Sequence, residues 1–294
     1  HYDQGYRISE PHPWRVRRSE DPAWVKFYGK HETTSIYFSG GCSTTFYGDT
    51  LFPTSYQGNL FYCEPSLNIV HRCLLRRKGA GYVAERAADE KESEFLASTD
   101  QWFRPMGLRV GPDGALYIVD MYREIIEDYS AIPRFLQQQY GLDKGKAHGR
   151  LWRLYPRGTG PAETHSVVES SDVDLVGMLD HENAWYRRTA QRLLVERRAG
   201  GVIEDLLARL RDQKHSPKGV LHTLYTLSGL NALQLQHVAP LIRHPDYRVR
   251  VHALRLANPA ESRSRSDHRE LMGTIGNVAF EDVDPSVRLQ AVMT

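Results

Sequence analysis

The sequence predicts two architectures in one chain, an antiparallel β half followed by an α-solenoid half, and three observations carry that prediction. Up to about residue 156 the apolar residues come in short bursts of strand-forming types separated by Gly, Pro, Asn and Asp. From about residue 171 they recur at helical spacing. Within that second stretch one pattern returns at an interval of about 30–40 residues, the period of stacked helical repeats.

In the first half, "TSIYFSG", "STTFYGD", "NLFYCE", "NIVHRCLL", "GYVAERAA", "MGLRV", "ALYIVD" and "GRLWRLYP" read as antiparallel strands. Between the sixth and seventh lies "GPDGA", which supplies Gly where a tight hairpin needs a positive φ, while Pro112 presets the turn entry. Short strands alternating with turns suit a meander, a sandwich or a propeller blade. One helix interrupts this half, "AIPRFLQQQYG", with Pro133 in its first turn and Gly141 just past its end. The stretch "PRGTGPAETHSVVESSD" then separates the halves. The boundaries expected are 1–156 for the β half, 157–170 for the linker and 171–294 for the helices.

The repeat is visible in "HENAWYRRTAQRLL" (181–194), "HPDYRVRVHALRLA" (244–257) and "DVDPSVRLQAV" (282–292). Each copy carries Asn or Asp (Asn183, Asp246, Asp284), then Arg (Arg187, Arg250, Arg288), then Ala (Ala190, Ala253, Ala291). The segment "SPKGVLHTLYTL" (216–227) fits between them but lacks the acid and the Arg. This pattern resembles HEAT repeats. The acid is expected to cap each helix and the Arg to form a ladder between repeats, leaving a curved surface for a partner protein or domain.

Lys and Arg number 38 against 36 Asp and Glu, with no long run of one sign, so nucleic acid and anionic membranes are set aside as partners. No apolar stretch approaches the roughly 20 residues a membrane-spanning helix needs. The chain begins without Met and stops inside an amphipathic pattern, which reads as part of a longer protein. No nucleophile elbow, phosphate loop, G-x-G-x-x-G or H-E-x-x-H is present, and Cys42, Cys63 and Cys73 form no C-x-x-C, so no metal site is read. The cysteines are either buried thiols or supply one disulfide.

Polar residues collect where strands end. Glu64, Asn68 and His71 surround one turn, and Arg104 precedes a strand whose partner is followed by Asp120, Tyr122 and Arg123. In one reading Arg104, Tyr122 and Arg123 hold an anionic or polar ligand with the planar guanidinium fork, and Asp120 fixes the Arg pair. Glu64 and Asn68 suit a hydroxyl-bearing ligand or a hard cation, and His71 or Glu64 would accept a proton. In the other reading the same groups close the strands as an ion network and satisfy turn backbone.

Together "YRISEPHP", "LFPTSYQGNLFYCEPSLNIVHR", "EFLASTDQWFRP", "GPDGALYIVDMYREIIED" and "GRLWRLYP" look like the C-terminal part of the propeller in planctomycete-type secreted proteins labelled membrane-bound dehydrogenases or haem-binding C-x-x-C-H proteins. That resemblance implies a partial β-propeller of the last blades followed by HEAT-like repeats, a periplasmic or extracellular location, and a cytochrome c domain beyond these residues that would carry haem c. It is remotely similar to quinoprotein glucose and sorbosone dehydrogenases, which implies pyrroloquinoline quinone with calcium near Arg104. It also implies a Cys42 to Cys63 disulfide, with Cys73 left over. The function implied is oxidation of a sugar or polyhydroxy compound, with electrons passed to the cytochrome. The alternative is a non-catalytic propeller and solenoid that binds a polysaccharide or a partner protein.

Overall fold

A computed structural model describes residues 4–28, 38–126, 134–140, 144–160, 162–212, 214–257 and 265–294. The chain divides into two compact units, one formed by His1–Leu75 with Ala84–Ala162 and the other by Arg76–Val83 with Glu163–Thr294. The predicted strand "TSIYFSG" begins outside the described residues, and its described end, 38–40, is not extended into a ladder.

The first unit opens with two short helices that the burst pattern missed, α1 (Pro13–Ser19) and α2 (Pro22–Tyr28). Each starts on a proline, whose fixed φ and missing N–H suit the first helical position. Five strands form one antiparallel sheet in the order β1 (Cys42–Phe46), β2 (Leu60–Glu64), β3 (Ile69–Lys78), β4 (Gly81–Arg86), with β5 (Leu96–Ala97) also paired to β3. A second sheet runs β6 (Pro105–Val110), β7 (Leu116–Asp120), β8 (Arg150–Leu154). The fold is thus a mixture of antiparallel sheet and helix. Helix α3 (Arg134–Tyr140) lies between β7 and β8, while its expected breakers Pro133 and Gly141 fall outside the described residues.

The β6–β7 turn depends on its last glycine. Gly114 has φ +74°, and a Cβ there would stand 2.7 Å from Leu51 Cβ, so both the turn and its close neighbour exclude a side chain. The two sheets bury Tyr47, Phe61, Val70, Phe103, Leu108 and Ile118 together. They are also stitched by hydrogen bonds: Thr45 Oγ1 donates to the Leu108 carbonyl at 2.8 Å, the Leu108 N–H to Ser43 Oγ at 2.7 Å, and Tyr47 OH to the Gly114 carbonyl at 2.8 Å.

The second unit contains α4 (Asp172–Met178), α5 (Ala184–Glu196), α6 (Ile203–Arg211), α7 (Pro217–Gly229), α8 (Leu235–Val238), α9 (Tyr247–Leu256), α10 (Arg265–Glu281) and α11 (Pro285–Met293). Helices α5, α7, α9 and α11 contact one another in succession. Their shared pattern has a physical cause. Asn183, Asp246 and Asp284 each accept the N–H of the residue two positions on, capping α5, α9 and α11. Arg187, Arg250 and Arg288 reach back to the carbonyls of His181, His244 and Asp282. Arg250 also makes a two-pronged ion pair with Asp282, at 2.8 and 2.9 Å, joining two repeats. Ala190, Ala253 and Ala291 are buried where helices meet. At the position of those alanines α7 has Thr223, whose hydroxyl returns to the Gly219 carbonyl at 2.9 Å.

His222 on α7 bonds Gln191 at 2.7 Å and has its pKa lowered to about 4, first by burial and then by Arg187 and Arg188. A histidine held neutral in the fold charges more readily when unfolded, so its contribution to stability is complete above about pH 6.5 and is lost as pH falls toward 4. Allowing for its partial exposure, wild type should lose about 2 kcal/mol more than His222→Gln between about pH 7 and pH 4. Urea unfolding at several pH values measures this, and parallel curves for the two proteins would exclude it.

Candidate functional site at the strand-end rim

The register brings most of the predicted residues to one place. Glu64 at the end of β2 faces Ile69 at the start of β3, and Pro105, Asp120 and Arg150 stand side by side across β6, β7 and β8. Glu64, Asn68, Arg104, Asp120, Tyr122 and Arg123 therefore gather at one end of the strands.

Their polar atoms face backbone. Arg104 is buried, and each of its guanidinium nitrogens donates to a carbonyl: Nη1 to Pro65 at 2.8 Å, Nε to Arg123 at 2.9 Å and Nη2 to Glu124 at 2.5 Å. Arg123 Nη1 donates to the carbonyls of Met121, Tyr122 and Gly145. Asn68, at φ +59°, donates through Nδ2 to the carbonyls of Gln101 and Phe103 and accepts from Ser9 Oγ at 2.7 Å. Glu64 is fully buried and accepts the N–H groups of Ser39, Gly40 and Ser66. Burial raises its pKa above the usual carboxylate value, against the pull of those donors.

Asp120 is the hub. Its Oδ1 accepts the N–H groups of Arg104 and Tyr122 at 2.8 and 2.9 Å, and its Oδ2 accepts Arg150 Nε at 2.7 Å and Trp152 Nε1 at 3.1 Å.

His71 lies elsewhere. It is fully buried on β3, its Nδ1 is 2.6 Å from Glu94 Oε2, and the rings of Phe38 and Tyr62 flank it, each at 5.0 Å. Glu94 also accepts Arg86 Nη2 at 3.1 Å and the Tyr6 N–H at 2.8 Å. His71 is thus tied to Glu94, while Glu64, the other expected proton acceptor, stands at the rim with Asn68, Arg104 and Asp120. A cavity of about 660 Å³ opens in the helical unit between residues 234–243 and 270–274, and none of the rim residues lines it.

The cysteines differ from the implied disulfide. Cys42 and Cys63 are register partners across β1 and β2, yet both are thiols, with the Cys42 and Cys63 side chains hydrogen-bonded. Burial pushes both thiols up in pKa, and Glu64 adds to the rise, which suppresses the thiolate that disulfide exchange requires.

The outer part of the rim is aromatic and half-buried. The Arg150 guanidinium lies 4.0 Å from the Tyr122 ring centre and 5.1 Å from that of Trp152. Trp102 packs on Tyr122 at 5.4 Å, and His148 stands edge-on to Tyr122 at 6.3 Å. Trp152 is 42% exposed. Trp102 reads from sequence as a packing residue, and Arg150 and Trp152 as mere strand. Their alternation in "RLWRL" was the available signal, since positions two apart share one face of a strand.

The protein is thus a β unit whose strand ends are locked by side chain to backbone bonds, with an aromatic and guanidinium surface outside the lock, joined in sequence to a capped row of helices. Residues 10–158, just over half of the chain, match the family described as Domain of unknown function (DUF7133), and the chain belongs to that family. No curated protein and no solved structure matches it. No helix among the described residues is long and apolar enough to cross a membrane.

Proposed function

We propose that this chain is a binding module, a propeller-like β unit that holds a polysaccharide at its strand-end rim and HEAT-like helices on which a partner protein docks, working outside the cytoplasm. One observation carries the reading: the polar groups of Arg104, Arg123, Asn68 and Glu64 are engaged by the protein's own backbone, and His71 is paired with the Glu94 side chain. The residues do not fit pyrroloquinoline quinone with calcium. Arg104 and Arg123 would have to release the carbonyls they hold to reach a quinone oxygen.

The sugar oxidoreductase is the competing proposal, and one preparation separates the two. The chain is passed over immobilised polysaccharides, and the same protein is mixed with pyrroloquinoline quinone, calcium, a redox dye and a panel of sugars. Retention without dye reduction is the expected result. Quinone-dependent, sugar-dependent dye reduction would replace the binding module by the dehydrogenase.

A further inference from the structure

Four groups follow one another in contact along the rim, half-buried Trp102, Tyr122 and Arg150 and exposed Trp152. Each is fixed by a neighbour. The Trp152 indole is anchored through its Nε1 to Asp120 and edge-on to Phe103, at 6.5 Å between centroids. Arg150 lies against both aromatic rings and is held by Asp120 and by Asp100 at 3.1 Å. Tyr122 holds a φ of +53°, a conformation a bulky residue rarely adopts, and its N–H is locked to Asp120. The rings are therefore oriented before any ligand arrives, which removes most of the rotamer entropy that binding would otherwise cost.

Charge narrows the ligand. Arg150 faces two carboxylates, Asp100 and Asp120, so the surface has no surplus positive charge to draw an anion. That disfavours a phosphate, a uronate or a quinone carboxylate. The guanidinium covers one face of Tyr122, and the ring surface left open, that of Trp152 above all, with Asp100 and His148 nearby, instead matches a ring with apolar C–H faces and a girdle of hydroxyls. We propose that Trp102, Tyr122 and Trp152, bridged by Arg150, form a stacking site for the pyranose rings of a neutral polysaccharide. The proposal rests on the binding-module reading and names its site and ligand class.

The test is native gel electrophoresis through gels containing a neutral β-glucan, a neutral mannan or anionic polygalacturonate, read as retardation against polysaccharide concentration. Wild type should be retarded by at least one neutral polymer. Trp102→Ala and Trp152→Phe should each weaken that binding, Trp102→Ala by about tenfold or more, because a stacking face is lost. Phe280→Ala, at an exposed ring on α10, is the control and should bind as wild type does. Tryptophan fluorescence in urea confirms that each variant is folded, and Trp152→Phe keeps a ring in place while removing only the N–H and part of the stacking area. Retardation by a neutral polymer that both rim variants retain in full would overturn the site while leaving the binding module standing. No retardation of wild type by either neutral polymer, or retardation by polygalacturonate alone, would overturn the site and its ligand class.

Discussion

Arg104→Ala is expected to destabilise the β unit by about 3–5 kcal/mol, an effect far larger than loss of a ligand contact at a surface would produce. The side chain is 4% exposed and joins three carbonyls from two separate segments, Pro65 on one side and Arg123 and Glu124 on the other. Truncation leaves those oxygens without their donor and opens a void. An unsatisfied buried group costs about 1–3 kcal/mol, though the three are not additive because water can enter. Arg104→Lys is the sharper variant. It keeps the charge and most of the volume but lacks the planar fork that serves three acceptors at once, so about half of the loss should remain. Urea unfolding followed by tryptophan fluorescence reads both. A variant as stable as wild type would mean that Arg104 is available to a ligand, and the ligand-holding reading of this residue would return.

Why the rim was legible and its chemistry was not comes down to what a strand end looks like in one dimension. Bursts of β-branched and aromatic residues, with "GPDGA" between two of them, locate seven of the strands. The repeat of acid, Arg and Ala likewise locates α5, α9 and α11, because each of its residue types does one local job: cap, tie to a preceding carbonyl, fit a close helix contact. Arg104 and Asp120 are different. Their types announce a charged cluster, but whether a guanidinium faces a ligand or a carbonyl depends on where Pro65 and Glu124 lie, roughly 20 to 40 residues away in sequence, and composition holds no record of that. The same is true of His71, whose partner Glu94 comes from a different segment. The helices α1 and α2 were missed because each is only seven residues long, too short for a period to register. Trp152 was hidden by the opposite problem, since a tryptophan in a strand is usually core, and here it stands on β8, the outer strand of its sheet, where it is 42% exposed.

Asp120→Ala should be as damaging as the loss of Arg104, and it also decides whether the lock and the aromatic surface are one device. The carboxylate is 1% exposed and receives four donors: two backbone N–H groups that terminate β7 against β6, the Arg150 guanidinium and the Trp152 indole. Removing it leaves two buried N–H groups and the Trp152 indole without their acceptor and Arg150 with Asp100 alone, and costs about 3–5 kcal/mol in all. Asp120→Asn separates the two halves of its role. The amide oxygen can still accept the N–H groups of Arg104 and Tyr122, but its NH₂ meets two donors, Arg150 and Trp152, where the carboxylate accepted them. The strand end should then hold, with a smaller loss of about 2 kcal/mol, while Arg150 and the indole lose their anchor. In a folded Asp120→Asn protein the tryptophan emission should shift to the red and polysaccharide retardation should weaken, as the rings regain rotamer freedom. An Asn variant that is destabilised yet binds as wild type does would separate the two, and would leave Asp120 as a strand-end clamp without influence on the surface beyond it.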